Sequence, residues 1–170
     1  MLGIDSSPSA LALAEDSARL NGVSATCSFL RGDVFHELGR LHAKASRFDL
    51  VVADPPSFVK SRRELGVGLR GYRKLVSLAA ACVKPGGFLF VASCSHHVER
   101  GAFNQAVAAG LSSTRREARI LVEGSAAPDH PVHAALPESA YLKYLVLQLD
   151  ASGPQPEEKR PTANSSRPMR

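Results

Sequence analysis

A chain of 170 residues, 44% hydrophobic and 22% charged, has room for one ordinary domain with a core of its own. Its mean hydropathy is close to zero, no apolar run approaches the roughly 20 residues that span a bilayer, and the start Met1-Leu2-Gly3-Ile4-Asp5 lacks the basic and apolar regions of a secretory signal. A membrane-spanning helix is thereby excluded and a cytoplasmic chain expected; the formal net charge of +5 says little until it is located.

Taken in chain order, Leu2-Gly3-Ile4 reads as the end of a buried strand, stopped by Asp5 and the cap-like Ser6-Ser7-Pro8. Pro8 suits the first turn of a helix, where its missing N–H is not needed. That helix is expected to run to Asn21-Gly22 on the apolar positions Leu11, Leu13, Ala14, Ala18 and Leu20. A strand is expected over residues 25–30, closed by Arg31-Gly32-Asp33, then a helix over 34–44 and a strand over 48–53, closed by Asp54-Pro55-Pro56. Residues 72–83 read as a helix ended by Pro85-Gly86-Gly87, and residues 88–93 as a strand buried on both faces. A helix over 102–111, a strand over 118–122, an irregular stretch over 123–139 and a final strand over 141–149 complete a domain of residues 1–150. Residues 151–170, rich in Pro, Ser and charge, read as a disordered tail.

Strands alternating with helices predict an α/β fold, a parallel sheet with helices on both faces and ligands beyond the carboxyl ends of its strands. Asp5, Asp33, Asp54-Pro55-Pro56 and Ser93-Cys94-Ser95 fall at those ends. A carboxylate at Asp5 can accept from both hydroxyls of a ribose, or cap the helix that follows. Asp33 can accept from the exocyclic amine of an adenine, or cap a helix in turn. Together they fit an adenosine-containing cofactor. Pro55 and Pro56 fix the backbone and remove two N–H donors, leaving a rigid turn whose carbonyls can grip an exocyclic amino group while Asp54 accepts from it.

Lys60, Arg62, Arg63, Arg70, Arg73 and Lys74, opposed only by Glu64, concentrate a charge equal to that of the whole chain in residues 57–74. The stretch is a solvated charged loop or, beside the Asp-Pro-Pro turn, a surface that neutralises phosphates. Within it, Gly66-Val67-Gly68-Leu69-Arg70-Gly71 matches G-x-G-x-x-G without the preceding apolar strand of a dinucleotide site, and reads as a flexible active-site loop. Three scattered cysteines form no disulfide framework, no Cys/His spacing suits zinc, and His96 and His97, if on a strand, point to opposite faces; no metal is expected. Cys82 reads as a structural thiol. Cys94, flanked by serines where the most apolar strand ends, reads as one that meets the cleft, although a buried structural thiol is the commoner case. A thiolate that attacks carbon 6 of a pyrimidine turns carbon 5 into an enamine-like nucleophile able to take a methyl group.

The runs Gly3-Ile4-Asp5-Ser6-Ser7-Pro8-Ser9-Ala10, Asp54-Pro55-Pro56-Ser57-Phe58, Ser93-Cys94-Ser95-His96-His97, Asp129-His130-Pro131 and Pro137-Glu138-Ser139-Ala140-Tyr141-Leu142-Lys143 together resemble the large-subunit ribosomal RNA (cytosine-5-)methyltransferase I family. The resemblance implies a Rossmann-like class I methyltransferase fold that transfers a methyl group from S-adenosylmethionine to C5 of a cytosine in 23S-type ribosomal RNA. It implies Cys94 as nucleophile, Asp5 and Asp33 at the cofactor, and Asp54 at the target base or the sulfonium end. Pro55, Pro56, Lys60, Arg62, Arg63, Arg70 and Arg73 would face the RNA. Glu138 would take the C5 proton, with His96, His97 and His130 as rivals.

Family members also carry, upstream of the matched part, an RNA-binding module, a first strand and a glycine-rich loop that cradles the cofactor's methionine part. The first strand lies centrally, between the second and the fourth. The present chain, starting at the second, is expected to be a partial catalytic domain whose sheet falls into two parts and which binds S-adenosylmethionine poorly alone. Two other readings stand beside this one: methylation of an exocyclic amine, which needs no thiol, and an inactive remnant that binds RNA through residues 60–74. Nothing in the sequence sets an oligomeric state.

Overall fold

The computed structural model describes residues 1–151; the tail expected over 151–170 lies outside these but for Ala151. β1 (Leu2–Asp5) and β2 (Ser28–Arg31) pair in parallel, with Leu2 opposite Ser28 and Asp5 opposite Arg31, and α1 (Pro8–Leu20) crosses between them. Ser7 caps α1 by accepting from the Ala10 N–H at 3.3 Å, and Pro8 opens the first turn. β2 starts later than the sequence suggests because Ser24–Thr26 closes a tight helical turn, in which the Thr26 N–H donates to the Val23 carbonyl at 3.0 Å.

After α2 (Val34–Ala43) come β3 (Phe48–Ala53), α3 (Leu65–Ala81), β4 (Val83–Ser93), α4 (Arg100–Ser113), β5 (Ala118–Ser125) and β6 (Lys143–Leu149). They form a four-stranded sheet ordered β3-β4-β6-β5, with β3 and β4 parallel and β6 antiparallel to both neighbours. Pro85-Gly86-Gly87 does not stop a helix as expected. It lies within β4 as a bulge: Phe48 pairs with Val83 and Leu50 with Phe88, and Gly86 takes a φ of +74° that a side chain would oppose. α3 ends two residues earlier than expected, at Ala81, with Cys82 as its cap.

The core lies between the helices and one face of this sheet. Tyr72, Leu75, Val76 and Ala79 of α3 and Phe103 and Val107 of α4 meet Leu89, Val91, Leu145, Leu147 and Leu149. Gly110 lets the two helices close on each other, since a Cβ there would stand 2.7 Å from the Arg73 carbonyl oxygen. Arg116, itself buried, donates to the Asp150 carboxylate at 2.9 Å and to the Val83 carbonyl at 3.1 Å, tying the start of β4 to the end of β6.

The opposite face carries its own apolar row. Val52, Phe90, Val146 and Val122 stand in register across all four strands, yet Val52 is 62% and Val122 45% exposed. Among the described residues no strand joins β1 to β3, so the chain holds two sheets. That is the division expected of a parallel sheet whose central strand is not among these elements.

Candidate active site

The carboxyl ends of β1, β2, β3 and β4 bring the chemistry-bearing side chains to one end of the molecule's parallel strands, where open α/β sheets hold ligands. At β1, the Asp5 carboxylate accepts from the Ser7 N–H at 2.7 Å, and the Asp5 carbonyl accepts from the Gly32 N–H at 3.0 Å, which fixes the ends of β1 and β2 side by side. Asp33 caps α2, accepting from the His36 N–H at 2.9 Å. The local role open to each aspartate is therefore filled, and both carboxylates remain exposed to solvent. One carboxylate oxygen satisfies a cap or turn and leaves the second for another donor.

β3 ends in the Asp-Pro-Pro turn. Asp54 and Pro56 are exposed and Pro55 is buried. The Cys94 thiol, half-buried, lies with its Sγ 3.9 Å from the Pro55 carbonyl oxygen. The thiol thus reaches the corner formed by Asp54, Pro55 and Pro56, and it is neither sealed in the core nor aimed at another part of the sheet.

The flanking serines are not cleft residues, as the sequence suggests, but buried ones. Ser93 Oγ donates to the Tyr72 hydroxyl at 2.8 Å, and the Tyr72 and Ser95 hydroxyls lie 2.8 Å apart. Ser95 Oγ in turn lies 2.9 Å from Ser57 Oγ, which donates to the Val59 carbonyl at 3.0 Å. This hydroxyl chain stitches the β4 turn to α3 and to the segment after Pro56. It leaves the side chain between the two serines to turn the other way, toward Pro55. Cys82, by contrast, is fully buried, and burial pushes its thiol up.

The C-terminal block closes on the same end. His96 stacks on Tyr141 with ring centroids 4.4 Å apart, and its Nδ1 donates to the Glu138 carbonyl at 3.1 Å. His96 and His97 lie in a turn rather than on a strand, and the Glu138 side chain is exposed. His130 pairs with its neighbour Asp129 at 3.6 Å. Among the described residues no cluster of His, Cys, Asp or Glu has the makings of a metal site, and no helix is long and apolar enough to cross a membrane.

The basic stretch is not the loop expected. Arg62 and Arg63 lie in a short helical turn, Arg62–Glu64, and Arg70, Arg73 and Lys74 on α3, which starts seven residues before position 72. The Lys60, Arg62, Arg63, Arg70, Arg73 and Lys74 side chains are exposed, and spacings of three and four put the last three on one helix face. Gly66, Gly68 and Gly71 are therefore helical rather than parts of a flexible loop. A Cβ on Gly68 would strike the Val59 side chain and come within 2.8 Å of the Phe58 carbonyl oxygen, so glycine there lets α3 press on the segment that follows the prolines.

One group escaped sequence reading. Lys143, at the start of β6, is buried and donates to the carbonyls of Ser95 and Tyr141, each at 2.9 Å. A lysine opening a strand reads as exposed; only the strict alternation of Leu145, Leu147 and Leu149 puts position 143 on the inward face.

Comparison with known proteins follows the same lines. Ribosomal RNA large subunit methyltransferase I of Aeromonas salmonicida is 39% identical over 149 residues, which are 87% of this chain and 38% of that protein. Its namesake from Erwinia tasmaniensis is 35% identical over 144 residues, 84% of this chain and 36% of that one. The chain thus spans under two fifths of the length of these relatives. Among solved structures, SMU.776 complexed with SAH superposes with a TM-score of 0.73 at 18% identity, over 86% of this chain and 38% of that one. NSun6 from Pyrococcus horikoshii with SFG gives 0.63 at 13% identity, over 89% and 41%. Both share the Rossmann-like fold. Residues 1–146 match the description S-adenosylmethionine-dependent methyltransferase, and the chain belongs to that family.

Proposed function

We propose that this domain carries the catalytic half of a methyltransferase acting on C5 of a cytosine in large-subunit ribosomal RNA, with Cys94 as the nucleophile. The observation that carries the reading is the half-buried thiol lying 3.9 Å from the carbonyl of Pro55, the residue that follows Asp54. The substrate class is that named for the Aeromonas and Erwinia relatives.

The donor set fits the adenosine part of S-adenosylmethionine: Asp5 and Asp33 end adjacent strands, and each offers an exposed carboxylate to hydroxyl or amine hydrogens. When bound, that cofactor supplies an electrophilic methyl group. Asp54 and the Pro55 carbonyl accept from the exocyclic amine of the cytosine and hold its ring beside Cys94. The thiolate adds to C6, forming a C–S bond and moving the C5=C6 electron pair so that C5 becomes the nucleophile. After C5 is alkylated its proton must leave. Glu138, whose backbone is docked on His96, is the base we assign to it; loss of that proton restores the double bond and expels the thiolate. Lys60, Arg62, Arg63, Arg70 and Arg73 meet the RNA backbone, where they add affinity without reading sequence.

The test is nucleoside analysis of ribosomal RNA after reaction with a chimera that places the upstream part of the Aeromonas salmonicida relative before residue 1. The expected product is 5-methylcytidine, with a loss of at least about a thousandfold for Cys94→Ala. A product methylated on an exocyclic nitrogen, formed equally well without the thiol, would establish the amine chemistry instead.

A further inference from the structure

Lys143 stands opposite Ser93 in the β4–β6 pairing, one residue before the thiol, and is only 5% exposed. A lysine at the rim of a cleft ordinarily lays its stem on the surface and keeps its ammonium in water. Here the ammonium is held inside, and its two bonds, to the carbonyls of Ser95 and Tyr141, are both to neutral acceptors. Those carbonyls belong to the two segments that frame Cys94, the turn after β4 and the block stacked on His96. An enclosed charge satisfied only by neutral groups is costly to keep, and an apolar residue of similar length would fill the space without that cost. The position makes sense if the charge acts on something nearby.

We propose that Lys143 is the positioning residue of Cys94, pinning the turn that carries the thiol and stabilising its thiolate over the protonated form. Burial pushes the lysine below its ordinary value, the charge of Arg100 presses the same way, and Cys94 opposes both. The other charged groups around the turn do not replace it. Arg100, at the start of α4, is matched by Glu123 of β5 at 3.2 Å. His96 spends its Nδ1 on the Glu138 carbonyl, and the Tyr72 hydroxyl from α3 is taken up by Ser93 and Ser95. Among the described residues Lys143 is the buried cation whose ammonium is bonded to this turn.

The inference takes Cys94 as nucleophile from the proposed function, but its test needs neither RNA nor methyl donor. Iodoacetamide alkylation of Cys94 is followed from about pH 5 to about pH 10, with peptide mass spectrometry to separate it from Cys27 and Cys82. Lys143→Met is expected to raise the apparent thiol pKa by about one unit or more, which slows alkylation near neutral pH about tenfold. Lys143→Arg, which keeps the charge, should restore most of the rate. A Lys143→Met profile that superimposes on the wild-type one overturns the proposal. Should that variant not fold, an NMR titration of isotope-labelled lysine decides: the coupling is reciprocal, so Cys94→Ser must lower the Lys143 pKa further, and an unmoved value overturns the proposal equally. A shifted profile alongside full methylation by Cys94→Ala would retire the nucleophile and leave the pairing standing; a superimposed profile alongside thiol-dependent methylation would do the reverse.

Discussion

Three consecutive side chains at the end of β4 have divergent fates. Ser93 and Ser95 turn inward to one tyrosine hydroxyl, and Cys94 turns outward to a proline carbonyl. Tyr72 is the pivot, so Tyr72→Phe leaves two buried serines short of a partner. A cost of about 1–2 kcal/mol is expected, read as a lower urea midpoint with an unchanged m-value. If the turn loosens, alkylation of Cys94 also becomes faster at fixed pH. Polar neighbours make Cys94 read as a thiol that meets the cleft, but a polar row does not say which of its members is buried: both serines are, and Cys94 is half-buried beside Pro55. Asp5 and Asp33 were legible as strand-end carboxylates. Their local use, as a turn and a cap, follows from the same geometry that leaves them exposed.

At the level of elements, the largest departure from expectation is the start of α3. Charge and glycine made residues 60–71 look like a loop, yet Leu65, Leu69, Tyr72, Leu75, Val76 and Ala79 follow the spacing of one helix face from the first turn. Arg70, Arg73 and Lys74 occupy the other face, and Gly68 and Gly71 the contact with Phe58 and Val59, so these misleading features have a place on the helix. Two glycine substitutions separate helix from loop. Gly68→Ala drives a methyl group into the Val59 side chain and the Phe58 carbonyl and is expected to cost about 2 kcal/mol or more. Gly66→Ala meets nothing nearer than an Arg70 side-chain nitrogen at 3.7 Å, and gains up to about 1 kcal/mol from helix propensity. Opposite signs of the change in thermal midpoint bear this out; equal small effects would return the segment to a loop. β4 starts before its Pro and Gly for a related reason: these residues punctuate a strand through a bulge as readily as they end a helix.

Across the whole molecule, the strand alternation, the order of elements and the resemblance gave the architecture, including a sheet in two parts; what they did not give is the uncovered face. Val52, Phe90, Val146 and Val122 form a row on the four-stranded sheet away from α3 and α4, and the outer edges of β1 and β3 have no strand between them among the described residues. Asp5 and Asp33 thus follow the strands of one sheet and Asp54 and Cys94 those of the other, and a cofactor held as proposed spans two sheets that no strand joins among the described residues. Calorimetry on this chain should therefore find S-adenosylmethionine binding at least about a hundredfold weaker than in the chimera with the upstream part of the Aeromonas relative; equal micromolar binding would show that the two sheets suffice. The covalent step itself is tested most directly by incubating that chimera and S-adenosylmethionine with RNA containing 5-fluorocytidine, whose fluorine blocks release of the enzyme. A protein–RNA adduct that survives denaturation and vanishes with Cys94→Ser is the predicted result, and methylation without any adduct, or an adduct that persists in the serine variant, would contradict it.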